Sequence, residues 1–89
     1  MNRWQNPGAP SEIIVGKGES REQYADAFIA APTVVPVFIK EHRNDSLWAC
    51  AGHFKFTRYS DRPEEKNARV QPPAIPSVYK ILFLEEVAQ

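Results

Sequence analysis

The chain has 89 residues, 43% of them hydrophobic, with 11 basic and 11 acidic side chains. That length makes one domain, residues 1–89, whose modest core buries somewhat over roughly 60% of the unfolded surface. Zero net charge removes the bulk basic excess that marks many nucleic-acid binders and leaves only a local basic face open, while the absence of any run of about 18 apolar residues excludes a membrane-spanning helix.

The chain begins MNRWQNPG, and Trp4 stands where termini usually fray. It either plugs a core from outside or lines a pocket. Residues 12–15, EIIV, read as a short strand of β-branched residues. GKG breaks that strand, and SREQYADAFIA starts a helix, with Ser20 as its cap and Gln23 completing a capping box. Tyr24 and Phe28 lie four apart, giving the helix one apolar face, and Pro32 ends it. TVVPVFIK is a strand, which Pro36 places at a sheet edge or a bulge. EHRNDS is a turn with Asn44 and Asp45 at its tip.

The strand LWACAGHFKFTRYS alternates with period two. Trp48, Cys50, Phe54 and Phe56 fall on one side; Ala51, His53, Lys55 and Thr57 fall on the other. Gly52 marks a bulge or a close backbone approach. Residues 60–76 form a polar, proline-rich loop with a helical turn at 63–69, and the apolar density of SVYKILFLEEV argues for a central strand. The expected core is Trp48, Phe54, Phe56, Phe38, Ile81 and Phe83 or Leu82, with Tyr24 and Phe28 from the helix. One helix among tightly connected strands defines an α+β fold, a small curled, mostly antiparallel sheet or open barrel.

The chemistry-bearing residues are few. Cys50, the single cysteine, has no internal disulfide partner, which points to a reducing intracellular compartment, cytoplasmic or nuclear. Strand alternation puts Cys50 and His53 on opposite faces, disfavouring a nucleophilic pair and leaving Cys50 as a buried structural cysteine. One cysteine and two histidines make a poor zinc site. No enzyme activity, cofactor or small-molecule substrate is expected.

GKGES lacks the order and spacing of a P-loop and reads first as a plain strand-to-helix turn, although Lys17 is placed to touch a phosphate. Along residues 40–58, Lys40, Arg43, Lys55 and Arg58 outnumber Glu41 and Asp45, and His53 lies on the same wet strand face. Cations mixed with Trp and with Tyr59 suit a nucleic-acid surface, where phosphates take the charge and bases stack on rings. An ordinary solvated sheet face fits the same residues. The candidate phosphate contacts are therefore Lys17, Lys40, Arg43, His53, Lys55 and Arg58.

The spaced pattern RWQNPG, VVPVFIK, WACAGHFKFTRYS, DRPEE and YKILFLEE resembles the PUA-like superfamily, and within it the SRA-like readers of modified DNA bases in restriction and defence systems. Trp4 and Gln5, Val37 to Lys40, Trp48 with Gly52, and Pro63 carry the resemblance. The longer glycine-rich loop and the base-reading acidic residue of larger SRA domains are missing. The resemblance implies a non-catalytic sensor module that takes a modified or flipped DNA base, with Trp4 stacking, Gln5 reading an edge and Tyr59 completing the pocket. The alternatives are a protein-interaction domain that homodimerises through the edge at Pro36, and an RNA-binding PUA-like domain.

Overall fold

Two irregularities in one long strand set the shape of the molecule. In the computed structural model, which describes residues 1–88, the elements are β1 (Glu12–Val15), α1 (Glu19–Ala30), β2 (Val35–Ile39), β3 (Ala49–Ser60), α2 (Pro63–Ala68) and β4 (Lys80–Glu86). The strands form one sheet in the order β1-β4-β3-β2, with every neighbour antiparallel. The apolar C-terminal strand is central, and the strand carrying Pro36 is at an edge. β3 bulges once against β2, where Val37 faces Gly52 but Phe38 faces Cys50. It bulges again against β4, where Phe56 faces Leu84 but Arg58 faces Phe83. Each extra residue bends the strand and increases its twist, so the sheet curls into a half-barrel. Gly52 is required at the first bulge: its φ is 125°, and a Cβ there would stand 3.1 Å from the Glu86 carboxylate.

The N-terminal segment closes the curl. Arg3 N–H donates to the Lys40 carbonyl and Lys40 N–H to the Met1 carbonyl, both at 2.9 Å, so residues 1–3 run beside the end of β2. A few residues on, Glu12 N–H donates to the Gly8 carbonyl at 3.0 Å and Ile14 N–H to Asn6 Oδ1 at 2.7 Å. One strap thus reaches both outer strands. Ala9 plugs the interior, buried with Val37, Ile39, Phe54 and Leu84. α1 covers the rest of the inner face through Ala25, Phe28 and Ile29, with the Phe28 and Phe56 rings 5.9 Å apart. The outer face carries a second cluster, in which Ile14 and Ile81 lie under Ile75 and Val78.

Several expected core positions are displaced, each for a local reason. Phe54, Ile81 and Leu82 are buried, and Phe28, Phe56 and Phe83 are half-buried. Trp48, Phe38 and Cys50 are exposed instead. The first bulge shifts the phase of β3 by one residue, so Cys50 and Trp48 fall on the outer face with Phe38 while Phe54 stays inside. The same shift places Cys50 on the face of His53, since Phe38 and Pro36 share a side of β2. Cys50 is therefore not a buried structural cysteine, and its thiol turns toward the Gly52 carbonyl at 4.0 Å. Tyr24 is 79% exposed because Ala25, Phe28 and Ile29 take the sheet-facing stripe of α1. Ser20 does not cap that helix. Gly18 precedes its first residue, and Glu22 accepts the Gly18 N–H at 2.9 Å.

Phe54→Ala is expected to cost about 3–5 kcal/mol in chemical denaturation, because Phe54 is 4% exposed at the centre of the inner cluster. Tyr24→Ala is expected to stay within about 0.5 kcal/mol of the parent.

Candidate functional site

Where the strap meets β1, the molecule opens into a cleft of about 630 Å³. The Leu84 N–H bond to the Ser11 carbonyl and the β1 to β4 register turn the backbone groups of Ile13 and Val15 toward β4. Glu12 and Ile14 therefore address the open edge, where Gly8 and Asn6 accept their N–H groups. Asn6 is buried and fixes Gln5 beside it at the end of the cleft. Asn2 Nδ2 donates to Gln5 Oε1 at 3.1 Å, which turns the oxygen of the Gln5 amide back to the strap. Arg21 and Tyr24 of α1 form one wall, and Pro73 and Pro76 form the other. An aromatic ring, a guanidinium and an exposed primary amide thus border one opening with a partly apolar lining.

The α1 wall is pinned at its far side. Asp26 accepts a hydrogen bond from Lys80 Nζ and another from the Tyr79 hydroxyl, both at 2.7 Å. The Lys80 ammonium lies 4.9 Å from the Tyr59 ring and 5.0 Å from the Tyr79 ring. Those bonds, from Lys80 first and Tyr79 second, hold the Asp26 carboxyl below its ordinary value of 3.8. The hydrogen bond to Asp26 pushes the Tyr79 hydroxyl up.

The expected site residues divide into three groups. Gln5 lines the cleft; Trp4, the residue before it in the strap, lies outside the lining, with the Arg43 guanidinium 5.6 Å from its ring centre. Tyr59 does not join them. It belongs to the Lys80 cluster, ten positions along β3 from Ala49, the residue paired with Ile39 near the strap. His53, Lys55 and Arg58 share the outer face, the last because the second bulge moves it there. On that face Lys55 pairs with Glu85 at 3.8 Å, and Arg69 pairs with Glu12 at 2.6 Å. The Arg58 guanidinium carbon lies over the Phe83 ring, 3.8 Å from its centre. The outer-face row is therefore interleaved with acids rather than uniformly basic.

Lys17 is exposed, but the start of α1 gives an anion little to hold. Glu22 already accepts the Gly18 N–H, and Glu19 and Glu22 make the first turn acidic. Arg21 donates to the Lys17 carbonyl at 3.4 Å and brings a second cation to the same mouth. Among the described residues, no three His, Cys, Asp or Glu side chains are grouped to hold a metal, and no helix is long and apolar enough to cross a membrane.

Arg21, Tyr24, Asn6 and the two cleft prolines are the cleft residues that sequence reasoning missed. Arg21 follows directly on GKGES, and Asn6 belongs to NPG, so both stood beside stretches already singled out. An i, i+4 aromatic pair does not say which member faces the sheet, and here Phe28 takes that side while Tyr24 borders the cleft. Comparison with known proteins finds no family model, curated protein or solved structure that matches the chain.

Asn6→Ala is expected to destabilise the fold by about 1–3 kcal/mol, since it leaves the Ile14 N–H without its buried acceptor. Gln5→Ala should leave the denaturation midpoint unchanged. Because the folded Asp26 carboxyl is depressed, its contribution is present above pH about 4 and is lost as pH falls through the folded value. Asp26→Asn should lower the melting temperature at neutral pH and flatten its decline as the pH falls below the ordinary Asp value of 3.8.

Proposed function

We propose that this domain is a non-catalytic nucleic-acid-binding module of the PUA-like kind, which takes an unstacked or modified DNA base into the cleft as the sensor part of a restriction or defence system. The observation that carries the reading is where the cations without ion pairs lie. Of the 11 Lys and Arg residues, Arg3, Lys55, Arg62, Arg69 and Lys80 form side-chain ion pairs among the described residues. Of the other six, Arg21 borders the cleft, and Lys17 holds Arg21 through its carbonyl. Lys40 and Arg43 lie against tryptophan rings next to the strap. A phosphate backbone crossing from Arg43 past Trp4 and Gln5 to Arg21 would meet cations whose charge is not already neutralised. In the cleft, the Gln5 amide suits a base edge and the Tyr24 ring a base face.

An edge-to-edge homodimer is less well supported. The strap occupies β2 alongside residues 38–40, and Pro36 supplies no donor on the remainder. The RNA-binding alternative is addressed by running RNA of the same sequence in the experiment below.

The test is binding of DNA and RNA oligonucleotides across a salt series. Replacing Arg21 and Arg43 together by Ala should reduce the slope of log affinity against log salt by about two. Replacing Lys55 and Arg62, both already ion-paired, should leave that slope nearly unchanged. Equal slopes for the parent and the Arg21/Arg43 variant would remove the cleft-side cations from the interface.

A further inference from the structure

We propose that Trp4 and Trp48, with the cations lying against them, form a stacking face that selects single-stranded over double-stranded DNA. The inference rests on the nucleic-acid reading above and names the form of the ligand. Lys40 Nζ lies 5.8 Å from the centre of the Trp48 ring, and the Arg43 guanidinium lies 5.6 Å from that of Trp4. The two pairs share one end of the sheet, because the Arg3 N–H bond to the Lys40 carbonyl seats Trp4 just beyond Lys40. Trp48 is 50% exposed on the outer face, beside Leu47 at 82%.

The two acids that flank Lys40 and Arg43 in the chain are engaged elsewhere. Arg3 holds Glu41 at 3.0 Å, and the Asp45 carboxylate accepts the His42 N–H at 3.0 Å. Lys40 and Arg43 make no ion pair among the described residues, so each presents a charge beside an indole. That is the pairing a nucleotide needs, a cation for the phosphate and a ring for the base. A duplex cannot use it, because each base face is covered by its neighbours and only edges and phosphates are offered. A single strand offers open base faces and can pass from these rings along Gln5 into the cleft. An apolar protein partner would find Trp48 and Leu47 attractive, but it gains nothing from cations aimed at the rings.

Trp4 and Trp48 are the only tryptophans in the chain, so tryptophan fluorescence, excited selectively over the three tyrosines, reports this surface alone. The experiment titrates the full chain with a thymidine oligonucleotide of about 12 nucleotides, a length within usual single-strand site sizes. The same oligonucleotide annealed to its complement is the second arm. The expected result is quenching by the single strand, with binding at least about tenfold tighter than to the duplex. Trp48→Ala, at a half-exposed position outside the core, should weaken single-strand binding about 5- to 150-fold and leave duplex binding unchanged. Trp48→Phe should retain most of the affinity. Salt-dependent binding of both forms with equal affinity and no quenching would overturn the strand preference and leave the nucleic-acid reading standing. Binding of neither would overturn both. A protein-concentration-dependent fluorescence shift without DNA, matched by dimer formation in sedimentation, would assign the rings to a second copy of the chain and overturn the inference.

Discussion

The architecture depends on Arg3 holding the first residues of the chain across a sheet that does not close by itself. Four curled strands leave two outer strands with unpaired backbone groups, and such edges invite pairing with other chains. Arg3 addresses both sides of the opening. Its main chain binds Lys40 next to β2, its guanidinium forks onto Glu41 through Nε and Nη2 at 3.1 and 3.0 Å, and its Nη1 donates to the Ala9 carbonyl. Ala9 is in turn the plug of the inner cluster. One side chain thus couples the strap, the edge of β2 and the core. An exposed ion pair alone contributes little, but here the pair also fixes the direction of a backbone that supplies hydrogen bonds to both edges. The Trp at the front of the chain follows from this. Trp4 is half-buried in a segment tied to Lys40, and the buried residue that fills the inner cluster from this segment is Ala9.

The two bulges in β3 decide which chemistry reaches which face. Without the extra residue at Ala51, Trp48 and Cys50 would point inward with Phe54, and Lys40 would have no ring on its side of the sheet. Without the extra residue at Thr57, Arg58 would turn inward and Tyr59 outward. The Thr57 hydroxyl is used where it stands, donating to the Phe83 carbonyl at 2.9 Å. A bulge is therefore a phase switch, and two of them in twelve residues flip the face pattern and then restore it along one strand.

That switch also marks the limit of what the residues reveal unaided. Element identities were legible: EIIV, the helix ended by Pro32, the edge strand with Pro36, the short helix after Arg62 and the central C-terminal strand all stand where propensity and proline place them. The bulge at Gly52 was legible too, because glycine in a strand has few other reasons to be there. Its effect on phase was not, since a period-two reading carried through Gly52 assigns Trp48 and Phe54 to the same side. Of the site, Gln5 beside Trp4 was readable from the front of the chain. Tyr59 was not separable from them, because a pocket built from residues at opposite ends of β3 depends on how far the sheet curls. Arg21 and Tyr24 were hidden by α1, whose sheet-facing stripe of Ala25, Phe28 and Ile29 carries only one aromatic residue.

Net charge proves a poor guide to this surface, for a reason visible in the pairing. A sum of zero would leave every patch neutral if acids and bases were mixed evenly. They are not. On the outer face Glu85 and Glu12 each hold a cation, and in α2 Glu64 holds Arg62. At the strap end Glu41 is taken by Arg3 and Asp45 by the backbone of a turn, while Glu86 stands at the opening it shares with Arg3. The cations left over are held against rings, where an aromatic face steadies the charge without cancelling it. An acid would stabilise Lys40 or Arg43 more simply, but it would also hide the charge from an anionic partner. A ring keeps the cation available. The choice of partner for each cation, rather than the number of cations, thus leaves one end of a neutral domain with cations that rest on rings instead of acids.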